Sequence, residues 1–120
     1  MAYVDGFVLP IPKKNLATYR RIAAKAGKVW KEHGALEYRE CVADDVRVMK
    51  GVGSFKKTHK LTAGETVLFS WIVYKSRKHR DQVNAKVMKD PRLAAMMKPD
   101  AMPFDTKRML MAGFKVIVDL

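Results

Sequence analysis

Polar side chains at the ends and on the faces of apolar helical patterns are the residues at which chemistry can be sought. His33 closes an apolar stripe with helical spacing and stands directly before Gly34. An imidazole at the negative end of a helix can transfer a proton or hold a ligand, because the helix dipole favours its cation there. The same ring can instead pack against the helix end and bond a carbonyl group. His33 is therefore the candidate catalytic residue, with a structural role as the alternative.

A second group of candidates follows the most apolar segment of the chain. Arg80 and Asn84 are four residues apart, so they share one face of a helix. A buried amide needs hydrogen-bond partners, so Asn84 can orient a ligand or anchor the loop that contains Asp105. Phe69 and Trp71 can form the apolar wall of the same pocket, or they can belong to a dimer core. The candidate ligand pocket comprises Phe69, Trp71, Arg80 and Asn84.

Cysteine and histidine usage does not favour a metal or a cofactor. The chain has one cysteine, Cys41, so it can form neither an internal disulfide nor a thiolate cluster. Catalysis by Cys41 would need a nearby cation that lowers its thiol pKa, and a small core residue is the alternative. The pattern Gly51-Val52-Gly53 is too short for a phosphate-binding loop. We predict that the protein uses no cofactor and no metal.

Basic residues are concentrated in two segments. The chain has 24 Lys and Arg against 12 Asp and Glu, and segments 13–34 and 75–98 each contribute +6 to the net charge of +12. Such a surface attracts polyanions, or it serves only to keep the protein soluble. The sequence has no Gly-x-x-Gly clamp, no zinc knuckle and no aromatic strand motif that would stack bases. The candidate nucleic-acid-binding residues are Arg21, Lys25, Lys28, Lys78 and Lys86.

The elements that position these residues follow the order β-α-β-β-α-β. Hydrophobic periodicity and turn residues predict four strands, two long helices, a short helix begun by Asp90 and Pro91, and an arm. In chain order these are strand 3–9, helix 15–34, strand 36–48, arm 49–65, strand 66–74, helix 76–89, short helix 90–98, loop 99–105 and strand 108–118. This order predicts one ferredoxin-like α+β domain over residues 1–120, with both long helices on one face of a four-stranded antiparallel sheet.

Strand 66–74 indicates that the single chain is not the complete assembly. It is apolar on both of its faces, yet the helices can cover only one face of the sheet. A homodimer that packs sheet against sheet would cover the second face. No apolar run approaches the roughly 20 residues of a membrane span. The N-terminus also lacks the pattern of a signal peptide. We therefore expect a cytoplasmic protein with no membrane partner.

Several longer strings resemble the DUF1428 family, the YbaA-like proteins. They include Val4-Asp5-Gly6-Phe7-Val8-Leu9-Pro10, Glu32-His33-Gly34-Ala35-Leu36, Phe69-Ser70-Trp71-Ile72-Val73, Asn84-Ala85-Lys86-Val87-Met88 and Met102-Pro103-Phe104-Asp105. The resemblance extends from about residue 3 to residue 118. It implies a bacterial cytoplasmic homodimer of the dimeric α/β-barrel superfamily, and it implies no function. The arm departs from the family pattern, because Gly51 to Lys57 is more basic and lacks a proline.

The leading functional hypothesis is a small-molecule-binding dimer. Analogy with other proteins of this fold suggests an enzyme of the cofactor-independent monooxygenase or isomerase type, although fold alone does not determine function. In that case His33 would handle the proton and Asn84 would orient the substrate. The first alternative is a nucleic-acid-associated protein that uses the two basic helices. The second is a structural or stress-related dimer without a ligand.

Overall fold

Four strands and two long helices alternate in the order that the hydrophobic pattern predicts. The structure is a computed structural model that describes residues 1–98 and 101–120. The elements are strand β1 (Tyr3–Pro12), a 3-10 turn (Lys13–Asn15), helix α1 (Leu16–Glu32), strand β2 (Glu37–Val42), helix α2 (Phe55–Thr58), strand β3 (Glu65–Tyr74), helix α3 (Arg77–Met88), helix α4 (Pro91–Met96), a 3-10 turn (Thr106–Arg108) and strand β4 (Leu110–Lys115).

The strands form one antiparallel sheet in the order β2-β3-β1-β4. β1 and β3 are the central pair, and their register places Tyr3 opposite Tyr74 and Leu9 opposite Leu68. β2 pairs only with β3, and β4 pairs only with β1. This topology is the predicted ferredoxin-like α+β fold, and β3 is central as its apolar sequence requires.

Helices α1 and α3 cover one face of the sheet and build the core there. Alternate residues of β1 and β3 point toward the helices, and they meet the apolar stripe of α1 that the sequence predicts. Each large side chain buried in this way contributes roughly 1.5–3 kcal/mol to stability. The buried residues are Leu9, Ile11, Tyr19, Ala23, Ala26, Val29, Trp30, Leu68, Ile72, Tyr74, Val83 and Val87.

The opposite face of the sheet is apolar and uncovered in the single chain. Phe69 on β3 is 49% exposed, and Leu110 and Phe114 on β4 are each more than half exposed. The register places Phe69 and Leu110 on either side of Val8, so the three side chains form one continuous surface. Large contiguous apolar patches are rare on soluble monomers.

β1 continues through two prolines at which the sequence predicts that it ends. The Lys13 N–H donates to the Gly64 carbonyl beside β3. Successive residues of a strand direct their backbone groups to opposite sides, so the nitrogens of Pro10 and Pro12 point away from β3. On that side the pairing with β4 stops at Val8. The missing N–H groups therefore cost no ladder hydrogen bond, and the expected end at residue 9 was wrong.

Both edge strands are shorter than predicted. β2 covers Glu37–Val42 instead of 36–48, because a bend at Asp44 ends the strand where a bend within it was expected. β4 covers Leu110–Lys115 instead of 108–118. It pairs only with β1, and its last partner is Tyr3, the first residue of that strand. The start of β4 is delayed by the 3-10 turn, which is capped by the Asp105 carboxylate.

The arm at about 49–65 contains a short helix instead of a long hairpin. Helix α2 begins after Ser54, whose hydroxyl accepts a hydrogen bond from the Lys57 N–H. Such a serine cap stabilises the first turn of a helix. The arm exposes Val48, Met49 and Val52, each at least half accessible, so this segment makes few apolar contacts with its own chain.

Most of the predicted helix ends are confirmed. Ser76 and Asp90 accept hydrogen bonds from backbone N–H groups as N-caps of α3 and α4. Gly34 follows α1 with a φ of 115°, a conformation that favours glycine. Asn15 precedes α1 without capping it, since its amide donates to the Pro103 carbonyl at 2.9 Å.

Within the described residues, no helix has both the length and the apolar character that a membrane crossing requires.

A substitution at Gly113 tests how closely β4 packs against Tyr3. A methyl group at this position would overlap the Tyr3 phenol, so the two strands pack closely here. We expect Gly113→Ala to lower the free energy of unfolding by about 1–3 kcal/mol, because Tyr3 is buried and must move. Gly53→Ala is the control, since it would contact nothing within 4 Å. Urea denaturation of the three proteins measures the effect, and equal stability of all three would contradict this packing.

Candidate functional site

A cavity of about 300 Å³ lies between the sheet and the helices. Its walls come from all four strands, from α1 and α3, and from the segment that follows α4. Most of the lining is apolar, and six polar or charged residues also line it: Asp5, Arg39, Glu40, Ser70, Asn84 and Thr106. Apolar walls with a few convergent polar groups are typical of small-molecule sites. The principal apolar lining residues are Phe7, Leu9, Ile22, Ile72, Met88 and Met111.

Asn84 reaches from α3 into the centre of the fold. Its Oδ1 accepts hydrogen bonds from Trp30 Nε1 at 3.0 Å and from the Tyr74 hydroxyl at 3.1 Å. These two bonds fix the orientation of the amide, because only the oxygen can accept. Its Nδ2 donates to Asp5 Oδ2 over a long 3.5 Å. An amide nitrogen carries two N–H groups, so Asn84 retains donor capacity on the cavity side.

Asp5 is a carboxyl group buried beside Asn84, with only 3% of its surface exposed. Its Oδ1 accepts a hydrogen bond from Arg80 Nη1 at 3.2 Å. Burial raises the pKa of Asp5, and the positive charge of Arg80 only partly offsets that effect. A buried carboxyl group with a raised pKa binds its proton more tightly than an exposed one, which suits it to exchange a proton with a bound molecule.

Arg80 contacts Asp5 but does not itself line the cavity. Its Nη2 donates to the Tyr3 hydroxyl at 3.4 Å, and its guanidinium lies over the Tyr3 ring, 5.0 Å from the centroid. Its Nε is 2.9 Å from a carboxylate oxygen of Asp81, an ion pair whose geometry is not that of a good hydrogen bond. Arg80 therefore contributes charge and rigidity to the site through Asp5.

Glu40 forms a second polar cluster with two tyrosines. The Tyr19 hydroxyl donates to Glu40 Oε1 at 2.8 Å, and the Tyr38 hydroxyl donates to Oε2 at 2.7 Å. Burial and the nearby Glu40 charge raise the pKa of both tyrosines far above the usual range, so both hydroxyls stay protonated as donors. We call Tyr19, Tyr38 and Glu40 the tyrosine–glutamate wall. Its three residues line both the cavity and an outer groove between α1 and β2.

The structure separates the residues that the sequence grouped into one pocket. Asn84 lines the cavity, Trp71 also borders it, and Arg80 reaches it through Asp5, whereas Phe69 is not part of the lining. The Phe69 and Trp71 rings lie 5.5 Å apart on the uncovered face of the sheet, opposite the helices. Strand alternation explains this separation, because Ser70 and Ile72 occupy the helix-facing positions between and beside them. The Trp71 indole donates to Glu37 on the same face.

His33 lies outside the cavity lining, where α1 meets α4. Its Nε2 is 2.9 Å from Asp90 Oδ2. Arg92 contacts the same Asp90 oxygen at 2.9 Å and Glu32 at 2.6 Å. Hydrogen bonds from Arg92 and His33 hold the pKa of Asp90 far below its usual range. The histidine thus links the end of α1 to the start of α4. This contact fits the structural role of His33 better than proton transfer in the cavity.

The five basic candidates lie on the exposed surfaces of α1 and α3. Arg21, Lys25, Lys28, Lys78 and Lys86 are all solvent-exposed. Of these, Lys28 also lines the outer groove.

Among the residues that the structure describes, no three His, Cys, Asp or Glu side chains are grouped as a metal ion would require.

The sequence interpretation missed Asp5 and the tyrosine–glutamate wall. A signal for both was present in strand alternation. Asp5 alternates with Tyr3 and Phe7 in an apolar strand, and Glu40 alternates with Tyr38 and Val42. A carboxylate on the helix-facing side of a strand must be buried and therefore paired.

Comparison with solved structures supports the fold. An uncharacterized NIPSNAP domain protein from Burkholderia xenovorans superimposes with a TM-score of 0.60 and 15% identity, covering 95% of this chain and 93% of that one. A NIPSNAP family protein of unknown function from Agrobacterium tumefaciens gives a TM-score of 0.60 and 13% identity, covering 96% and 87%. At these identities the similarity concerns the fold alone.

Comparison with other sequences identifies the family. The proteins named "Uncharacterized protein YbaA" in Escherichia coli K12 and in Shigella flexneri are each 46% identical over 119 residues, which is 99% of this chain and 99% of theirs. The model of the family described as "Protein of unknown function (DUF1428)" matches residues 2–106. The chain therefore belongs to the DUF1428 family, as its sequence strings predict.

Proposed function

We propose that this protein binds a small, largely apolar molecule in the cavity between the sheet and helices α1 and α3. The observation that carries the proposal is the meeting of a buried carboxyl group, Asp5, and an incompletely bonded amide, Asn84, at an apolar cavity of about 300 Å³. Polar groups that are buried without full satisfaction cost free energy. A ligand that completes their hydrogen bonds recovers part of that cost.

The two polar groups define the ligand chemistry. The Asn84 amide offers an N–H donor, and the Asp5 carboxylate offers an acceptor. Together they complement a group that both accepts and donates, such as a hydroxyl, a phenol or an enol. Phe7, Ile22 and Ile72 favour a hydrocarbon or aromatic body for the rest of the molecule.

If the protein is an enzyme, this site supports proton transfer better than oxygen insertion. A carboxylate whose pKa is raised by burial is a stronger base than an exposed carboxylate, so Asp5 is suited to act as a general base. Asn84 would orient the substrate carbonyl or enol beside it. Asp5 therefore replaces His33 as the proposed proton-handling residue, and an isomerase is the favoured enzyme class.

We also propose that two copies assemble through the uncovered face of the sheet. Phe69, Leu110 and Phe114 present about half of their surface or more to solvent in the single chain. A two-fold pairing of such faces buries an apolar surface against itself. The arm and the C-terminal residues also expose apolar side chains, which would extend that contact.

The ligand site is tested with Asn84→Ala and a matched control, Gln82→Ala, which removes an exposed amide from the same helix. Native mass spectrometry of gently purified protein should detect a discrete bound small molecule, and calorimetric titration with 2-naphthol provides a defined probe. Loss of one hydrogen bond of about 1 kcal/mol should weaken binding by Asn84→Ala about fivefold. Gln82→Ala should bind as wild type.

A second variant separates loss of binding from loss of folding. Asn84→Ala leaves Trp30 and Tyr74 without their acceptor, so circular dichroism must accompany the titration. Ile22→Trp fills the cavity without touching this network, and it should also abolish 2-naphthol binding. Folded variants that bind as well as wild type would refute the proposal. Bound material that nuclease treatment removes from the purified protein would instead favour nucleic-acid binding by the basic helices.

The proposed assembly is tested by placing a charge on the sheet face. Phe69→Glu should convert a dimer into a monomer in analytical ultracentrifugation, because a carboxylate would be buried without a partner. Val42→Glu is the matched control, since Val42 is 48% exposed against 49% for Phe69 but lies on the helix-facing side of the sheet. A monomeric wild type, or a dimer that persists in Phe69→Glu, would contradict the proposal.

A further inference from the structure

The outer groove between α1 and β2 is a second concave site, distinct from the cavity. Its volume is about 750 Å³, and its lining runs along α1 from Leu16 to Lys31. At 1.5 Å per residue this length corresponds to roughly 22 Å. The tyrosine–glutamate wall separates it from the cavity, since Tyr19, Tyr38 and Glu40 line both. The groove is therefore long, narrow and open to solvent on one side.

The floor of the groove suits a hydrocarbon. Small residues of α1, Ala23, Ala24 and Gly27, face Val42 and Leu68 of the sheet. The polar atoms on the floor belong to the tyrosine–glutamate wall, where both tyrosine hydroxyls already donate to the two Glu40 oxygens. A polar ligand would find these groups already hydrogen-bonded to one another, whereas an apolar chain needs no polar partner. The two tyrosine hydroxyls reduce the cost of covering the Glu40 carboxylate, because they remain hydrogen-bonded to it.

The rim of the groove is cationic. Arg20, Lys28 and Lys31 lie eight and three residues apart, which places them along one side of α1. Within residues 1–98 and 101–120 none of the three has a salt-bridge partner. Glu32, the one acidic residue on the rim, is paired with Arg92 at 2.6 Å. Lys31 Nζ donates to the Leu36 carbonyl at 2.7 Å and its charge also acts on Glu37, although the ammonium group retains two further N–H donors. Arg20 and Lys28 thus carry the rim charge that the described residues leave unpaired.

We propose that this groove binds the free monomer of a long-chain carboxylate, such as a fatty acid. The hydrocarbon chain lies on the floor between α1 and β2. The carboxylate is held by Lys28 and Lys31, which stand one helical turn apart on the rim. Glu40 would repel a carboxylate placed over the middle of the floor, so the head group belongs at the rim.

The shape of the site favours a single chain over a membrane surface. Membrane-binding helices insert an apolar face that protrudes from the protein. Here the apolar residues form a recess, and the cations stand along its border. Such a recess can take up one chain that leaves the bilayer, but it cannot itself enter the bilayer. The proposal does not depend on the function assigned to the inner cavity.

Binding is measured by titration with cis-parinaric acid, a long-chain carboxylate whose fluorescence rises in an apolar site. Lys28→Glu reverses a rim charge and should weaken binding about fivefold or more, as expected for one exposed ion pair and its reversal. Lys86→Glu makes the same change on an exposed position of α3, a different helix, outside the groove lining. The affinity of this variant for cis-parinaric acid should remain close to that of the wild type at moderate ionic strength, because charges more than about 8–10 Å apart are then largely screened.

The floor is tested separately from the rim. Ala24 is exposed and lines the groove, so Ala24→Trp should block it and reduce binding at least tenfold without disturbing the core. Ala85→Trp places the same side chain on an exposed position of α3 and should have no effect. Circular dichroism confirms that each variant is folded, and 2-naphthol binding in Ala24→Trp shows whether the inner cavity is unaffected.

Two results would overturn the proposal. The first is an unchanged affinity for cis-parinaric acid in both Lys28→Glu and Ala24→Trp. The second is sedimentation of wild-type protein with phosphatidylglycerol vesicles that Lys28→Glu abolishes, combined with no binding of the monomeric acid. That second result would assign the cationic rim to a membrane surface instead of a free carboxylate.

Discussion

The Asn84 amide connects four elements of the fold through one side chain. It extends from α3, accepts hydrogen bonds from Trp30 on α1 and Tyr74 on β3, and donates to Asp5 on β1. Because Trp30 and Tyr74 are buried and have this amide oxygen as their acceptor, each would be left unsatisfied without it, at a cost of roughly 1–3 kcal/mol apiece. The helices must therefore keep a fixed position over the sheet. That position leaves the space between them open as a cavity instead of allowing it to collapse.

Much of the fold could be predicted because its signals are local. The alternation in β3, the stripe on α1 and the caps at Ser76 and Asp90 depend on residues that are close in sequence. The strand ends were predicted less well, because they depend on the partner strand. β4 stops where β1 begins, and Pro10 is tolerated because β4 does not extend alongside the edge to which its nitrogen points. Neither fact is encoded near the residues concerned.

The candidate site was harder to predict because it depends on contacts between distant segments. His33 has the chemistry of a catalytic residue, but Asp90 lies 57 positions later and engages its ring. Asn84 was correctly singled out as a polar residue on an apolar surface, yet its partners include Asp5, 79 positions earlier. Phe69 was assigned to the pocket because aromatic type is visible in a sequence, but it lies outside the cavity lining because the face of the strand that it occupies depends on which face the helices cover.

The burial of Asp5 at the cavity lowers the free energy of unfolding when its carboxyl group is ionised. The folded state raises its pKa above the usual 3.8, so the folded chain binds that proton more tightly than the unfolded chain does. The free energy of unfolding therefore falls as the pH rises from about 3.8 through the raised value, and the penalty is complete above it. The chain has +12 charge and could pair an exposed carboxylate easily. Hydrogen bonds from Arg80 and Asn84 offset part of this penalty, and the ligand that we propose for the cavity would offset more of it by bonding to Asp5.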